Sequence, residues 1–156
     1  WMTGTQNHEA MAGTIAAIEH IAWIGRSVAG AGLGRRDALR CAFDAIEEYE
    51  RTLCWRIIDG LRAIDGIRIW GITDSGRNAE RAPTVSFTHD SMSPRQIADE
   101  LADRGIFVWA GNFYALELTE ALDLEPDGVL RVGVLHYNTM DEVESFLHEL
   151  EDILSC

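Results

Sequence analysis

The 156-residue chain contains no lysine; its thirteen basic residues are all arginine. No side-chain amine is present to form a Schiff base, which excludes that kind of covalent catalysis by this chain's own residues. Basic charge is scarce as well: 26 acidic residues bring the net charge to −13 and the pI to about 4.6. An acidic excess of this size argues against nucleic acid as a partner, and against adhesion to anionic membrane. No run of about 18 apolar residues occurs, so no transmembrane helix is expected. No basic-then-apolar leader opens the chain.

Cysteine is equally sparse. Three are too few for a disulfide scaffold. Cys41 and Cys54 fall on one predicted helix, thirteen residues apart, and so stand roughly 20 Å from each other. They can neither bridge nor share a metal. With Cys156 at the end, all three read as free thiols in a reducing cytoplasm. The histidines His8, His20, His89, His136 and His148 show no ligand spacing such as H-E-x-x-H, and no metal site is expected.

What is present is an ordinary apolar content of 47%, enough for one domain with a core, or one domain plus a remnant of another. Asn7 is a plausible N-cap for a helix from about residue 8 to 24, with Glu9 in its first turn. Met11, Ile15, Ile18, Ile21 and Ile24 recur at helical spacing, and alanines fill most other sides. A helix so apolar expects burial all round, and a chain this short struggles to supply it. Together with a start at Trp1 rather than Met, this implies that an N-terminal portion, a partner subunit, or both are missing.

Residues 25–34 hold four glycines. They resemble G-x-G-x-x-G but fail it, because Arg35 stands at the final glycine and a helix precedes. The stretch reads as a flexible linker, 26–34. From about 35 to 65, Leu39, Phe43, Ile46, Leu53, Ile57, Leu61 and Ile64 form one stripe, predicting a helix of roughly 45 Å. That length suits a connection between two domains, and Gly66 stops it.

Beyond it, strands are expected at 67–71, 83–88, 106–109 and 130–134. Residues 74–78 read as a turn-rich loop, and 116–128 as a short acidic excursion. Ser93, Pro94 and Gln96 mark a helix start with a capping box; Thr139 and Glu142 mark a second. The order is β-β-α-β-β-α. The fold class is thus α/β (α+β): a small mixed or antiparallel sheet of about four strands with helices on one face, preceded by the long helix.

The stretch Leu130-Arg131-Val132-Gly133-Val134-Leu135-His136-Tyr137-Asn138-Thr139 organises the rest. Leu130, Val132 and Val134 alternate with Arg131 and Gly133, so Arg131 leaves the face opposite the aliphatics. Gly133 leaves space beside it, and a planar fork of donors next to open space suits a carboxylate. The same position also suits an arginine that is solvated or paired with one of the many acids.

"RVGVLHYNTMDEVESFL" resembles the C-terminal signature of the class V aminotransferases, a pyridoxal-phosphate (PLP) family that includes the cysteine desulfurases. "GTQNHEAMAGTIAAI" resembles another of its elements. The resemblance implies the C-terminal part of a fold type I PLP enzyme: residues 1–25 from the large domain, 26–34 a linker, 35–156 the small domain with its connecting helix. It implies that Arg131 binds the α-carboxylate of an amino-acid substrate. It further implies that Gly4 and Thr5 reach the PLP phosphate of the other subunit of a homodimer. PLP enzymes carry the cofactor on a lysine, so the missing N-terminal portion would have to supply it, and the 156 residues alone are expected to be inactive.

In cysteine desulfurases the third strand leads into Arg-x-Gly-His-His-Cys-Ala. The matching stretch is Trp109-Ala110-Gly111-Asn112-Phe113-Tyr114-Ala115, with Tyr114 at the cysteine. A phenol with pKa near 10 cannot replace a thiolate in persulfide chemistry, so desulfurase activity is not expected. Tyr114 could be a substrate-facing hydrogen bonder, a catalytic acid/base group or a packed aromatic. Asn112 could orient substrate or make a turn. His136 could face the cleft or lie on a surface turn. The alternative from another class is a free-standing, non-catalytic α/β binding or dimerisation module for a small carboxylate.

Overall fold

The computed structural model describes residues 4–155. Its elements in chain order are α1 (His8–Ala29), α2 (Arg35–Ala63), β1 (Ile67–Trp70), a 3-10 helix (Ser75–Glu80), β2 (Thr84–His89), α3 (Pro94–Asp103), β3 (Trp109–Gly111), α4 (Leu116–Ala121), β4 (Val129–Gly133) and α5 (Met140–Leu154). The chain divides into two compact units, residues 1–49 and 50–156, and α2 runs through the boundary.

In the first unit, Asn7 caps α1 by accepting from the Ala10 N–H at 2.9 Å. The helix runs five residues past the expected end at Ile24, to Ala29. Two features carry it on. Arg26 complements the C-terminal dipole, and the Gly30 N–H closes the last turn on the Arg26 carbonyl. The expected linker therefore starts only at Gly30. Gly25 is helical and buried, and a Cβ there would lie 1.8 Å from the Ala38 carbonyl oxygen of α2. It is a crossing point, not a hinge. Ala22, Ala38 and Ala42 are buried at this crossing, whereas Met11, Ile15, Ile18, Trp23 and Val28 stay exposed.

The second unit is a four-stranded sheet in the order β1-β2-β4-β3, antiparallel at each pairing. The core lies on one face. Val85, Phe87, Leu130 and Val132 meet Leu53, Ile57, Ile58 and Leu61 of α2, Ile97 and Leu101 of α3, and Val143, Phe146, Leu147 and Leu150 of α5. The stripe expected along all of α2 is thus buried in this core only from Leu53 onward; Phe43 is exposed. Both capping boxes form, at Ser93/Gln96 and Thr139/Glu142.

Two further differences have local causes. The third strand begins at Trp109 rather than at Ile106. α3 ends in a Schellman closure, with the Gly105 N–H on the Ala102 carbonyl and the Ile106 N–H on the Leu101 carbonyl, which takes up the start of the aliphatic run. The excursion at 116–128 contains α4, and the turn-rich stretch becomes the 3-10 helix, capped by Asp74 accepting from the Gly76 N–H. Among the described residues, no helix is long and apolar enough to cross a membrane.

Candidate functional site

The face of the sheet away from the core carries Arg131. Leu130 and Val132 go into the core, so alternation sends Arg131 to the other face. The register places Arg131 opposite Ser86 on one side and Trp109 on the other, with Ser86 in turn opposite Trp70. Trp70, Ser86, Arg131 and Trp109 form one row across four strands. Directly opposed residues on a sheet are close enough to interact.

The Arg131 guanidinium lies over the Phe113 ring, 3.9 Å from carbon to centroid. Phe113 sets its ring edge-on to Trp109, with centroids 6.5 Å apart at 84°. Among the described residues no carboxylate pairs with Arg131, although the chain carries 26 acidic residues. The ring lies against the guanidinium carbon. The guanidinium N–H donors radiate in plane and stay available to a planar anion. A Cβ on Gly133 would meet only the Thr84 hydroxyl at 3.6 Å and the Pro83 carbonyl at 3.9 Å, so this neighbour on the same face leaves room.

The segment after β3 is held in a backbone that side chains rarely adopt. Gly111 has φ 134°, and Phe113 and Tyr114 sit in the left-handed region at 55° and 62°. Such conformations persist only where the surroundings enforce them. Asn112 does so. Its Oδ1 accepts from the Tyr114 N–H at 3.2 Å, and its Nδ2 donates to Glu125 at 3.2 Å. Glu125 also accepts from the Thr119 hydroxyl, and Thr119 is buried. Asn112 thus makes a turn with both ends of its amide engaged. Tyr114, next along, is fully exposed.

His136 follows β4 in a turn. Its Nδ1 is 4.0 Å from Glu50 of α2, and its ring packs edge-on to Tyr137 at 5.3 Å. These contacts differ from those of Arg131. Beyond the turn, Glu142 accepts from the Thr139 N–H at 2.7 Å. That bond, then the Asn138 amide, holds its carboxyl below the usual carboxylate range. Gly4 and Thr5 lie in the other unit, exposed ahead of α1. Among the described residues no cluster of His, Cys, Asp or Glu could hold a metal.

Arg131, Trp109, Phe113 and the Asn112 turn are thereby assembled on one face. Phe113 and Ser86 were not singled out from sequence. The only signal for Phe113 was its place in a bulky segment just after the strand that would neighbour Arg131.

This fold recurs in known proteins. An aminotransferase-like protein of Gibberella zeae is 37% identical over 115 residues, 72% of this chain and 28% of its own. A probable cysteine desulfurase of Pyrococcus abyssi is 31% identical over 126 residues, covering 80% and 30%. The apo structure of a cysteine desulfurase from Thermococcus onnurineus superposes with a TM-score of 0.67 at 28% identity, over 78% of this chain and 29% of that one. An Escherichia coli cysteine desulfurase shares the fold over 97% of this chain and 32% of its own, with a TM-score of 0.72 and 24% identity. The chain spans less than a third of the length of these two curated relatives. The family model of the class-V aminotransferases matches residues 3–146, and the chain belongs to that family.

Proposed function

We propose that this chain supplies the substrate-carboxylate arginine, Arg131, to a PLP-dependent class V enzyme acting on an amino acid. The observation that carries this is the Arg131 guanidinium, placed over Phe113 and paired with no carboxylate among the described residues. A bidentate pair with a carboxylate fixes both distance and orientation, and so places the substrate's Cα for reaction.

The family is PLP-dependent, and the cofactor supplies an electron sink for chemistry at Cα. This chain does not fit it as a covalent carrier, because it has no lysine. Its own offer is smaller: the Gly4 backbone and the exposed Thr5 hydroxyl, for a phosphate of the partner subunit in a homodimer. The 156 residues alone are therefore inactive, and a lysine on another part of the enzyme is required. The reaction is of aminotransferase or lyase type. Tyr114 at the desulfurase cysteine position rules against persulfide formation there and leaves a phenol that can hold or deliver a proton. Asn112 acts by shaping the turn that presents Phe113 and Tyr114.

The second reading, a free-standing carboxylate-binding module, draws on the absence of lysine and on the separate core of residues 50–156. The visible spectrum of the protein expressed from its complete native gene separates the two. A PLP absorbance band abolished by borohydride is expected for the enzyme. A colourless protein unchanged by added PLP would leave the module reading.

A further inference from the structure

We infer that Phe113 and Trp109 form the side-chain subsite next to Arg131, and that the amino acid taken carries a large apolar or aromatic side chain. This rests on Arg131 as the carboxylate anchor and adds the substrate class.

The geometry starts from the stack. A carboxylate bound to the guanidinium edge lies in the guanidinium plane, close beside the Phe113 ring, whose centroid is 3.9 Å from the guanidinium carbon. The substrate's Cα and Cβ then emerge alongside the ring. Trp109, directly opposite Arg131 in the ladder, is 67% exposed and meets Phe113 edge-on. Two aromatic surfaces at an angle thus flank the anchor, an arrangement that favours offset or edge-on contact with a third ring.

The groups nearby in the row and the loop are small or already engaged. Ser86 and Gly133 offer no bulk. Glu125, the carboxylate nearest in the loop network, is committed to Asn112 and Thr119. Ser86 offers a hydroxyl but no charge, and a small substrate side chain such as that of cysteine or alanine leaves both rings uncovered. The left-handed backbone at Phe113 and Tyr114 points the same way. An aromatic kept in a costly conformation by a part-buried Asn–Glu–Thr network is placed for a purpose other than local stability.

The test is a titration of this chain with L-phenylalanine, L-leucine and L-alanine, followed by the NMR signal of the Arg131 Nε–H. All three are expected to shift it, with phenylalanine half-saturating at a concentration about three- to tenfold below alanine, the range for an added aromatic contact. Phe113→Leu should bring phenylalanine and alanine together while both still shift the signal. Equal half-saturation by phenylalanine and alanine in the wild type would overturn the aromatic subsite and leave the anchor standing. No response to any amino acid would overturn the anchor, and the subsite with it. Backbone amide signals of β2 and α5, unchanged in Phe113→Leu, establish that the fold is intact.

Discussion

Gly128 lies against Gly111 so closely that a Cβ on Gly128 would stand 2.3 Å from both the carbonyl carbon and the carbonyl oxygen of Gly111. Gly128 enters β4, the strand of Arg131. Gly111 leaves β3, toward Phe113. The contact therefore sets where the aromatic loop departs relative to the arginine. Gly128→Ala meets backbone that cannot swing aside, at a φ of 69° that L side chains rarely adopt. A loss of about 2–3 kcal/mol is expected from overpacking and strain together. Urea unfolding measures it, and an unchanged midpoint would contradict the close approach.

Phe87 tests the core beneath the site. It is fully buried on β2, opposite Ile69 and Leu130. Phe87→Ala should cost about 3–5 kcal/mol. A loss under about 1 kcal/mol would mean that the sheet and helices are packed more loosely than the structure shows.

Glu142 gives the α5 start an acid sensitivity. Its folded carboxyl titrates below the ordinary 4.5, because the Thr139 N–H and then the Asn138 amide favour the charged form. The contribution to stability is complete above the unfolded value and is lost as pH falls through the folded one. Glu142→Gln keeps a capping-box side chain without the titration. Urea midpoints measured from about pH 7 down to about pH 3 should therefore fall more steeply for wild type than for the variant, with the divergence starting near the ordinary carboxylate value. Parallel curves would remove Glu142 from the acid response.

The parts of this molecule that were legible in the sequence are those written locally. Ser93-Pro94-Arg95-Gln96 and Thr139 through Glu142 state their helix starts within four residues, and both form. Leu130, Val132 and Val134 alternate, and that alone puts Arg131 on the opposite face. Contacts between distant residues were not legible. Gly25 looks like a linker residue until Ala38 packs on it. The turn at 112–114 depends on Glu125, thirteen residues away from Asn112, and no periodicity encodes that bond. Phe113 could be placed over Arg131 only once the ladder between β3 and β4 was known.

Tyr114 separates conformation from chemistry. Its ring is fully exposed and its φ is 62°, so Tyr114→Phe removes one oxygen without disturbing packing, and stability should stay within about 0.5 kcal/mol. A phenol that transfers a proton is worth on the order of a hundredfold in rate. In the complete PLP-loaded enzyme, Tyr114→Phe should therefore lower kcat by about a hundredfold while KM moves little. Arg131→Gln should instead act mainly on KM, because it removes binding of the carboxylate. If Tyr114→Phe retains full kcat, the phenol oxygen has no part in the reaction, and the exposed ring contributes only as surface beside Phe113.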